Sequence, residues 1–304
     1  MTAPDSIRQM PLERAGVDRS AEERATPDLI ERARQDAATQ VLVIADDRAP
    51  LAAPGRLAWL SPADVPDGAE WAFLGRDGDG AALLTAVFGS RDDELVDAPA
   101  GWAGLRRIGG DLPDPDADLF VEALSLGRWL IDAPFCPACG TRAQLADAGW
   151  SRRCPNCARQ HFPRTDPAVI VAITSATDPD RLLLGSNALW GAERFSCFAG
   201  FVEAGESLEA AVRRELEEES GIVVASVEYR GSQAWPYPRS LMVGFLAVAA
   251  DDDAARADGE EIAAVRWFTR DEIGAALAGD GDVVLPGRAS IAHALISGWY
   301  AEKP

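Results

Sequence analysis

The sequence predicts an α/β protein made of three parts. Three observations carry that prediction. Two C-x-x-C pairs sit together in the middle of the chain. The residues before them mix helical and strand patterns. The residues after them are rich in strands, with one strongly acidic helix among them. The boundaries fall at residues 1–133 for an N-terminal mixed α/β domain, 134–165 for a four-cysteine ribbon and 166–304 for a C-terminal domain.

At 304 residues with 47% hydrophobic content, the chain has room for two domains and a small third one, each with a proper core. No apolar run is long enough for a membrane span, and the first twenty residues lack the apolar segment of a secretory signal. The expected setting is therefore cytoplasmic. The net charge of −20 argues against nonspecific binding to nucleic acid or anionic membrane. Part of it lies in solvated loops such as Asp251–Asp253.

Residues 1 to about 27 read as a weakly ordered lead. A helix follows over Asp28–Thr39. Val41–Ala45 and Arg56–Leu60 read as strands. Ala81–Phe88 pairs across the turn signal Arg76-Asp77-Gly78-Asp79-Gly80 with the apolar run before it, as a hairpin. Ala117–Ala133 has helical apolar spacing. No chemical motif stands out here. The domain serves either as a scaffold or dimerisation unit or in substrate recognition.

Cys136-Pro-Ala-Cys139 and Cys154-Pro-Asn-Cys157 are separated by fourteen residues. Each turn offers two thiolates, and two turns close a tetrahedral site with no open position. This predicts one structural Zn2+. A redox dithiol is the other reading of a C-x-x-C pair, and two pairs at matching spacing favour the metal. The fifth cysteine, Cys197, reads as a buried packing residue. Around the ribbon Arg142, Arg152, Arg153, Arg159 and Arg164 face only Asp147 and Asp166 in sequence. This local basic patch either steers an RNA or dinucleotide phosphate or simply decorates a small domain.

In the C-terminal part, strands are expected over Ala168–Thr174, Arg181–Gly185, Arg194–Glu203, residues 222–235, Ser240–Ala250 and Glu261–Thr269, with late helices over Asp271–Leu277 and Ala289–Ala301. The acidic helix spans about Ser207–Glu219 and ends at Gly221. Six carboxylates lie between Glu206 and Glu219. Glu215, Glu218 and Glu219, at i, i+3 and i+4, share an arc of roughly 100° on one face. Such like charges repel, and a cluster of hard oxygen ligands makes sense if a divalent cation neutralises it. Val212 and Leu216 lie beside them on the wheel, so the ligands border the buried stripe. Arg214, four residues before Glu218, can orient it.

Gly200, Glu206, Arg214, Glu215, Leu216, Glu218, Glu219, Gly221 and Ile222 match every fixed position of the Nudix box, which this stretch resembles. The order of strands around the acidic helix agrees with a Nudix α/β/α sandwich. Downstream, Ser232-Gln233-Ala234-Trp235-Pro236-Tyr237-Pro238-Arg239-Ser240 alternates prolines with aromatic rings. That is a stiff platform suited to stacking on flat bases. It resembles the S-Q-P-W-P-F-P-x-S array of the NADH pyrophosphatases (NudC-type), with Ala234 and Tyr237 as departures. The resemblance covers nearly the whole chain, because that family also has an N-terminal domain and a four-cysteine ribbon before its Nudix domain.

The resemblance implies hydrolysis of the pyrophosphate bond of NADH or NAD to a nicotinamide mononucleotide and AMP, and removal of NAD caps from RNA. It implies Mg2+ or Mn2+ held by Glu215 and Glu219 with Glu218 close by, a later glutamate (Glu261, with Glu260 as the alternative) and the backbone carbonyl of Ala199. Glu218 would take or orient the proton of the attacking water. Phe162, Phe201, Trp235 and the rest of Gln233–Ser240 would touch substrate, with Ala292 as a backbone contact. A homodimer follows from the same resemblance. The competing readings are a Nudix hydrolase of another nucleoside diphosphate derivative such as ADP-ribose, and a non-catalytic zinc-ribbon module that binds nucleic acid.

Overall fold

Contacts within the chain divide it into two units. One joins Leu12–Thr165 to Trp235–Arg239. The other joins Asp166–Ala234 and Ser240–Pro304 to the N-terminal piece ending at Pro11. The structure, a computed structural model, describes residues 10–12, 17–90 and 92–302. Of the expected lead, residues 1–9 and 13–16 lie outside the described residues, and the described part holds a short 3-10 turn at Ala21–Glu23.

In the first unit, helix α1 (Leu29–Gln35) precedes strands β1 (Gln40–Ala45), β2 (Arg48–Ala53), β3 (Arg56–Leu57), β4 (Trp59–Leu60), β5 (Glu70–Arg76), β6 (Ala82–Phe88) and β7 (Trp102–Gly104). Helices α2 (Leu105–Ile108) and α3 (Asp114–Asp132) follow. The first helix stops short of Thr39 because Asp36 turns the chain. Its carboxylate accepts the N–H of Ala38 at 2.9 Å, a side-chain turn that competes with helix. The hairpin forms as expected, with β5 antiparallel to β6. Strands β2 and β7 were not legible in the sequence; Pro50 interrupts the strand pattern of β2 and pairs with Trp102. The sheet order is β3-β2-β1-β6-β5, with β4 on β1 and β7 on β2. One face carries α1 through Leu29 and Ala33 against Val41, Val43 and Phe73. The other carries α3, whose Gly127 lies against Val87. The ribbon adds β8 (Gln144–Ala146), β9 (Ser151–Arg153) and β10 (Gln160–His161), in the order β10-β9-β8.

The second unit contains β11 (Asp166–Thr174), β12 (Arg181–Asn187), β13 (Phe198–Phe201), α4 (Leu208–Ser220), β14 (Val224–Trp235), β15 (Ser240–Ala249), β16 (Ile262–Thr269), α5 (Arg270–Ala278) and α6 (Ile291–Ala301). Central strand β11 is parallel to β15 and antiparallel to β12 and β13. Its side chains alternate between two cores. Val169, Val171 and Ile173 meet Val212 and Leu216 of α4. Ile170 and Ala172 join Ile273, Ile291, Leu295 and Ile296 of α5 and α6. A strand buried on both faces between helical layers makes the expected α/β/α sandwich. The strand expected over Arg194–Glu203 is shorter than read. Only Phe198–Phe201 pairs continuously, and Arg194 and Ser196 make isolated bridges to Val284 and Gly185.

The two units share one topology. The order β14-β15-β11-β12-β16, with β13 on β11, repeats β5-β6-β1-β2, with β4 on β1 and β7 on β2. The parallel pair β1/β6 corresponds to β11/β15. The difference lies after the short third partner. In the second unit β13 leads into the thirteen-residue helix α4, whereas in the first unit β4 leads only into a single turn at Pro62–Asp64. Helix α1, arriving from before β1, covers the corresponding face. Among the described residues no helix is long and apolar enough to cross a membrane.

Glu122, on α3, is buried, and burial is the main reason its carboxyl is raised from 4.5 to about 7; Arg19 opposes this and Asp118 adds to it. Arg19, at 3.5 Å, is half exposed, so its attraction is screened and desolvation wins. Between pH 4.5 and about 7 the folded chain holds a proton that the unfolded chain releases, so stability falls as pH rises through this window. Glu122→Gln is expected to flatten that slope and to raise Tm above pH 7.5. Thermal unfolding of both proteins from pH 5 to 8.5 measures it, and parallel curves would refute it.

Candidate active site

Helix α4 starts at Ser207, whose hydroxyl accepts the N–H of Ala210 at 3.2 Å. It ends at Gly221, with φ 68°, where a left-handed residue closes the last turn. Both ends are therefore fixed by local chemistry. Between them Arg214 is the hub of the acidic face. Its Nε and Nη2 hold Glu206 at 2.9 Å each, and Nη1 reaches Glu215 at 2.9 Å and Glu218 at 3.1 Å. Nη2 also donates to the carbonyl of Phe201 at 3.0 Å. Glu206 in turn accepts the N–H of Glu203 at 3.0 Å, closing the loop that precedes the helix. The hydrogen bond to Glu206 is the first cause that raises the Arg214 guanidinium further above its ordinary value, with Glu215 and Glu218 adding to it. The expected Arg214–Glu218 contact is present. The stronger bidentate pair with Glu206 joins residues eight apart across the helix start, which helical spacing cannot reveal.

Glu219 lies deepest, 6% exposed, with its Oε2 lacking a hydrogen-bond partner among the described residues. Burial, reinforced by Glu215 and Glu261, pushes its carboxyl up to about 8, and the N–H of Ala199 pulls it back. Glu215 is also raised, chiefly by burial, with Arg214 opposing. Gly200 allows this packing. A Cβ there would stand 2.0 Å from the Glu215 carboxylate, so any side chain at the first position of the box would push Glu215 out of this place. Glu261 stands just before β16. Asp258 accepts the N–H groups of Glu260, Glu261 and Ile262 at 2.8, 3.1 and 2.9 Å, which fixes the backbone that presents it. Glu261, not Glu260, is the neighbour that acts on both Glu215 and Glu219. The donor set is all oxygen, partly buried, and contains a buried carboxylate oxygen without a partner. It fits a hard divalent cation.

The ribbon sulfurs are gathered tightly. Cys136, Cys139, Cys154 and Cys157 all lie within 4.8 Å of one another. Cys136–Cys157, Cys139–Cys154 and Cys139–Cys157 are 3.6, 3.5 and 3.7 Å apart. Four thiolates about 2.3 Å from one ion stand about 3.8 Å apart at tetrahedral angles, so the cluster fits zinc.

The residues expected to touch substrate are distributed between the units. Phe201 of the second unit is exposed, as is Ala234. Gln233 is buried and makes three hydrogen bonds inside the protein. Its amide donates to the carbonyls of Pro11 and Ala289 at 2.6 and 2.9 Å and accepts the N–H of Ile291 at 2.7 Å. It ties β14 to the start of α6, and both of its donors are spent on backbone carbonyls. Ser240 and Ala292 are buried too, and the Ala292 carbonyl faces the Cys197 thiol. Cys197 itself is buried, as expected. Trp235–Arg239 belong to the first unit. The Trp235 and Tyr237 rings are 5.2 Å apart. The Arg106 guanidinium lies 3.9 Å over the Tyr237 ring, and the Arg106 N–H donates to the Tyr237 hydroxyl at 3.1 Å. Tyr237 is thus braced by α2, and Pro236 is buried. Phe162, 59% exposed, lines a cleft of about 580 Å3 with Phe135, Trp129, Arg128, Pro238 and Arg239. Sequence reasoning missed Arg106 and Arg128, which carry no motif.

The basic patch needs a correction. Arg152 is buried; its guanidinium donates to the carbonyls of Leu130 at 2.7 Å and Ala143 at 3.2 Å. It fastens the ribbon to α3 and is not available to steer a phosphate. Arg142 pairs with Glu70 at 3.5 Å, while Arg153, Arg159 and Arg164 are exposed.

A six-stranded mixed sheet between helices, with a glutamate-bearing helix held by a central arginine, defines the Nudix class. A family model described as the NUDIX domain matches residues 164–285. Models of the NADH pyrophosphatase zinc ribbon domain and the NADH pyrophosphatase-like rudimentary NUDIX domain match residues 132–162 and 36–129. The NAD-capped RNA hydrolase NudC of Mycobacterium tuberculosis is 38% identical over 97% of this chain and 96% of its own length. The NAD-capped RNA hydrolase NUDT12 of Homo sapiens is 38% identical over 64% of this chain and 44% of its own. A solved Nudix hydrolase from Nitrosomonas europaea is 24% identical, covering 45% of this chain and 90% of that one, at a TM-score of 0.36. The chain belongs to the NudC-type NADH pyrophosphatase family of Nudix hydrolases.

Arg214→Lys keeps a charge but loses the planar fork. It is expected to weaken divalent-cation binding by about 10–100-fold, read by calorimetric titration, with the fold retained by circular dichroism. Unchanged affinity would remove Arg214 from its holding role. Arg152→Ala strands two carbonyls and is expected to cost about 2–4 kcal/mol in urea unfolding. Arg153→Ala, on the surface, should stay within about 0.5 kcal/mol. Equal effects of the two substitutions would contradict the assignment of Arg152 to the interior.

Proposed function

We propose that this protein hydrolyses the diphosphate bond of NADH and NAD, giving a nicotinamide mononucleotide and AMP, and removes NAD caps from RNA. The observation that carries the proposal is the acidic face of α4, where Glu215 and Glu219 border the core and the nearby Glu261 adds its charge to both. The match to relatives named NAD-capped RNA hydrolases over nearly the whole chain supports the substrate class. A divalent cation, Mg2+ or Mn2+, when bound, neutralises the diphosphate and activates water.

Glu215, Glu219 and Glu261 would hold that cation, with the backbone of Ala199 beside Glu219. Glu218, whose side chain is 60% exposed, has the reach to accept or orient a water proton while Arg214 restrains it. Phe201 and Trp235 would stack on bases, with Ala234, Pro236, Tyr237, Pro238 and Arg239 shaping the platform. Phe162 would form one wall of the cleft in the first unit. Gln233, Ser240 and Ala292 would act by holding the backbone in place, since their side chains or carbonyls are buried. One Zn2+ per subunit would sit in the ribbon. The domain limits 1–133, 134–165 and 166–304, a homodimer and a cytoplasmic setting, where thiolates stay reduced, complete the proposal.

Product analysis decides it. Incubation of NADH, NAD, ADP-ribose and NAD-capped RNA with Mg2+ or Mn2+ should release the mononucleotides from the first two and a 5′-monophosphate RNA from the last. Glu219→Gln is expected to cut turnover by at least about a hundredfold and to abolish the rise in Tm that the cation gives the unaltered protein. Undiminished turnover in that variant would sink the assignment of Glu219.

A further inference from the structure

Two of the four ribbon thiolates are exposed, Cys139 and Cys157, and two are buried, Cys136 and Cys154. A buried thiolate is cut off from water and needs a donor from the protein. Cys154 accepts the backbone N–H of Cys157 at 3.5 Å. Cys136 faces a side chain instead: the Nε2 of His161 lies 3.1 Å from its sulfur. His161 stands outside the four-sulfur group, so it is a neighbour of the metal site and not a fifth ligand. A metal-bound thiolate can only accept, so Nε2 carries the hydrogen.

His161 also occupies a particular place in the chain. It is the last residue of β10, paired with Arg152 of β9. Arg152 is buried and donates to Leu130 at the end of α3. The short strand is thus held by Arg152 on its partner strand and by the imidazole on its own. His161 and the next residue, Phe162, both line the cleft that also contains Phe135, Trp129 and Arg128.

We propose that His161 is a positioning residue: its Nε2–H donates to the Cys136 thiolate, and through that bond the ribbon metal sets the Phe162 wall of the cleft. The bond offsets negative charge on the one buried sulfur that a side chain serves, and it orients the strand end from which Phe162 projects. The effect on substrate rests on the reading that this cleft takes part of the dinucleotide; the bond to the thiolate does not.

The test compares the full-length holoprotein with His161→Phe, which keeps a ring without a donor, and His161→Gln, which keeps a donor. Release of zinc to a metallochromic chelator should be about tenfold faster in His161→Phe and within about threefold of the parent in His161→Gln. With cobalt in the ribbon, the sulfur-to-metal charge-transfer band should move to longer wavelength in His161→Phe and stay in place in His161→Gln. KM for NADH should rise severalfold in zinc-replete His161→Phe with kcat unchanged, and His161→Gln should restore it. Equal zinc release and identical cobalt spectra in all three proteins would overturn the bond. Altered zinc release with unaltered KM would overturn the link to the cleft. If the parent protein cleaves no dinucleotide, the proposed function fails, and zinc release and the cobalt spectra still decide for or against the His161 bond.

Discussion

One guanidinium makes the acidic site possible. Glu206, Glu215 and Glu218 each contact Arg214, and the Phe201 carbonyl contacts it too. Without a central cation these carboxylates would repel one another, and the loop from Gly200 to Ser207 would lose its charged anchor to α4. The bidentate grip on Glu206 joins that loop to the helix, and the remaining nitrogen restrains Glu215 and Glu218. Glu219 receives no such help. It is buried, its carboxyl is raised to about 8, and one oxygen is unpartnered. The protein therefore restrains the outer carboxylates with its own cation and leaves one oxygen of the inner Glu219 without a partner among the described residues.

The repeated topology gives the first unit a physical explanation. Both sheets place a parallel pair at their centre and cover both faces with helices. Only the second inserts a long helix between the short partner strand and the strand that follows. In the first, Pro62–Asp64 turns the chain directly, and α1 buries the face instead. The first unit therefore keeps the sheet and its core but lacks the element on which the carboxylates ride. Within it Arg106 braces Tyr237, and α3 with the ribbon walls the cleft around Phe162.

Much of this was legible in the sequence for identifiable reasons. The spacing of Glu215, Glu218 and Glu219, the cap residues Ser207 and Gly221 and the two C-x-x-C turns are local patterns, and local patterns translate directly into geometry. The hairpin around Gly78 and helix α3 read correctly for the same reason. Strands β2 and β7 did not, because Pro50 interrupts the first, the second has only three residues, and their pairing joins residues about fifty apart. Arg152 was misjudged as part of a basic surface. Charge in a sequence says nothing about burial, and this guanidinium is buried because two backbone carbonyls meet it. Gln233 sat within a recognisable array, yet its three hydrogen bonds go to distant backbone groups, so its part is architectural.

The sequence by itself determined the class of chemistry: periodicity put three glutamates on one helix face, and paired cysteines specified a tetrahedral thiolate site. Tertiary structure alone decided which groups are buried and which partners they find. It matched Arg214 to Glu206, seated Glu215 over Gly200, brought the charge of Glu261 near Glu219 and brought His161 to Cys136. The reason is that spacing fixes direction only within one element. Burial and long-range pairing depend on how separate elements close on a common core, and these in turn set the charge and orientation of each functional group.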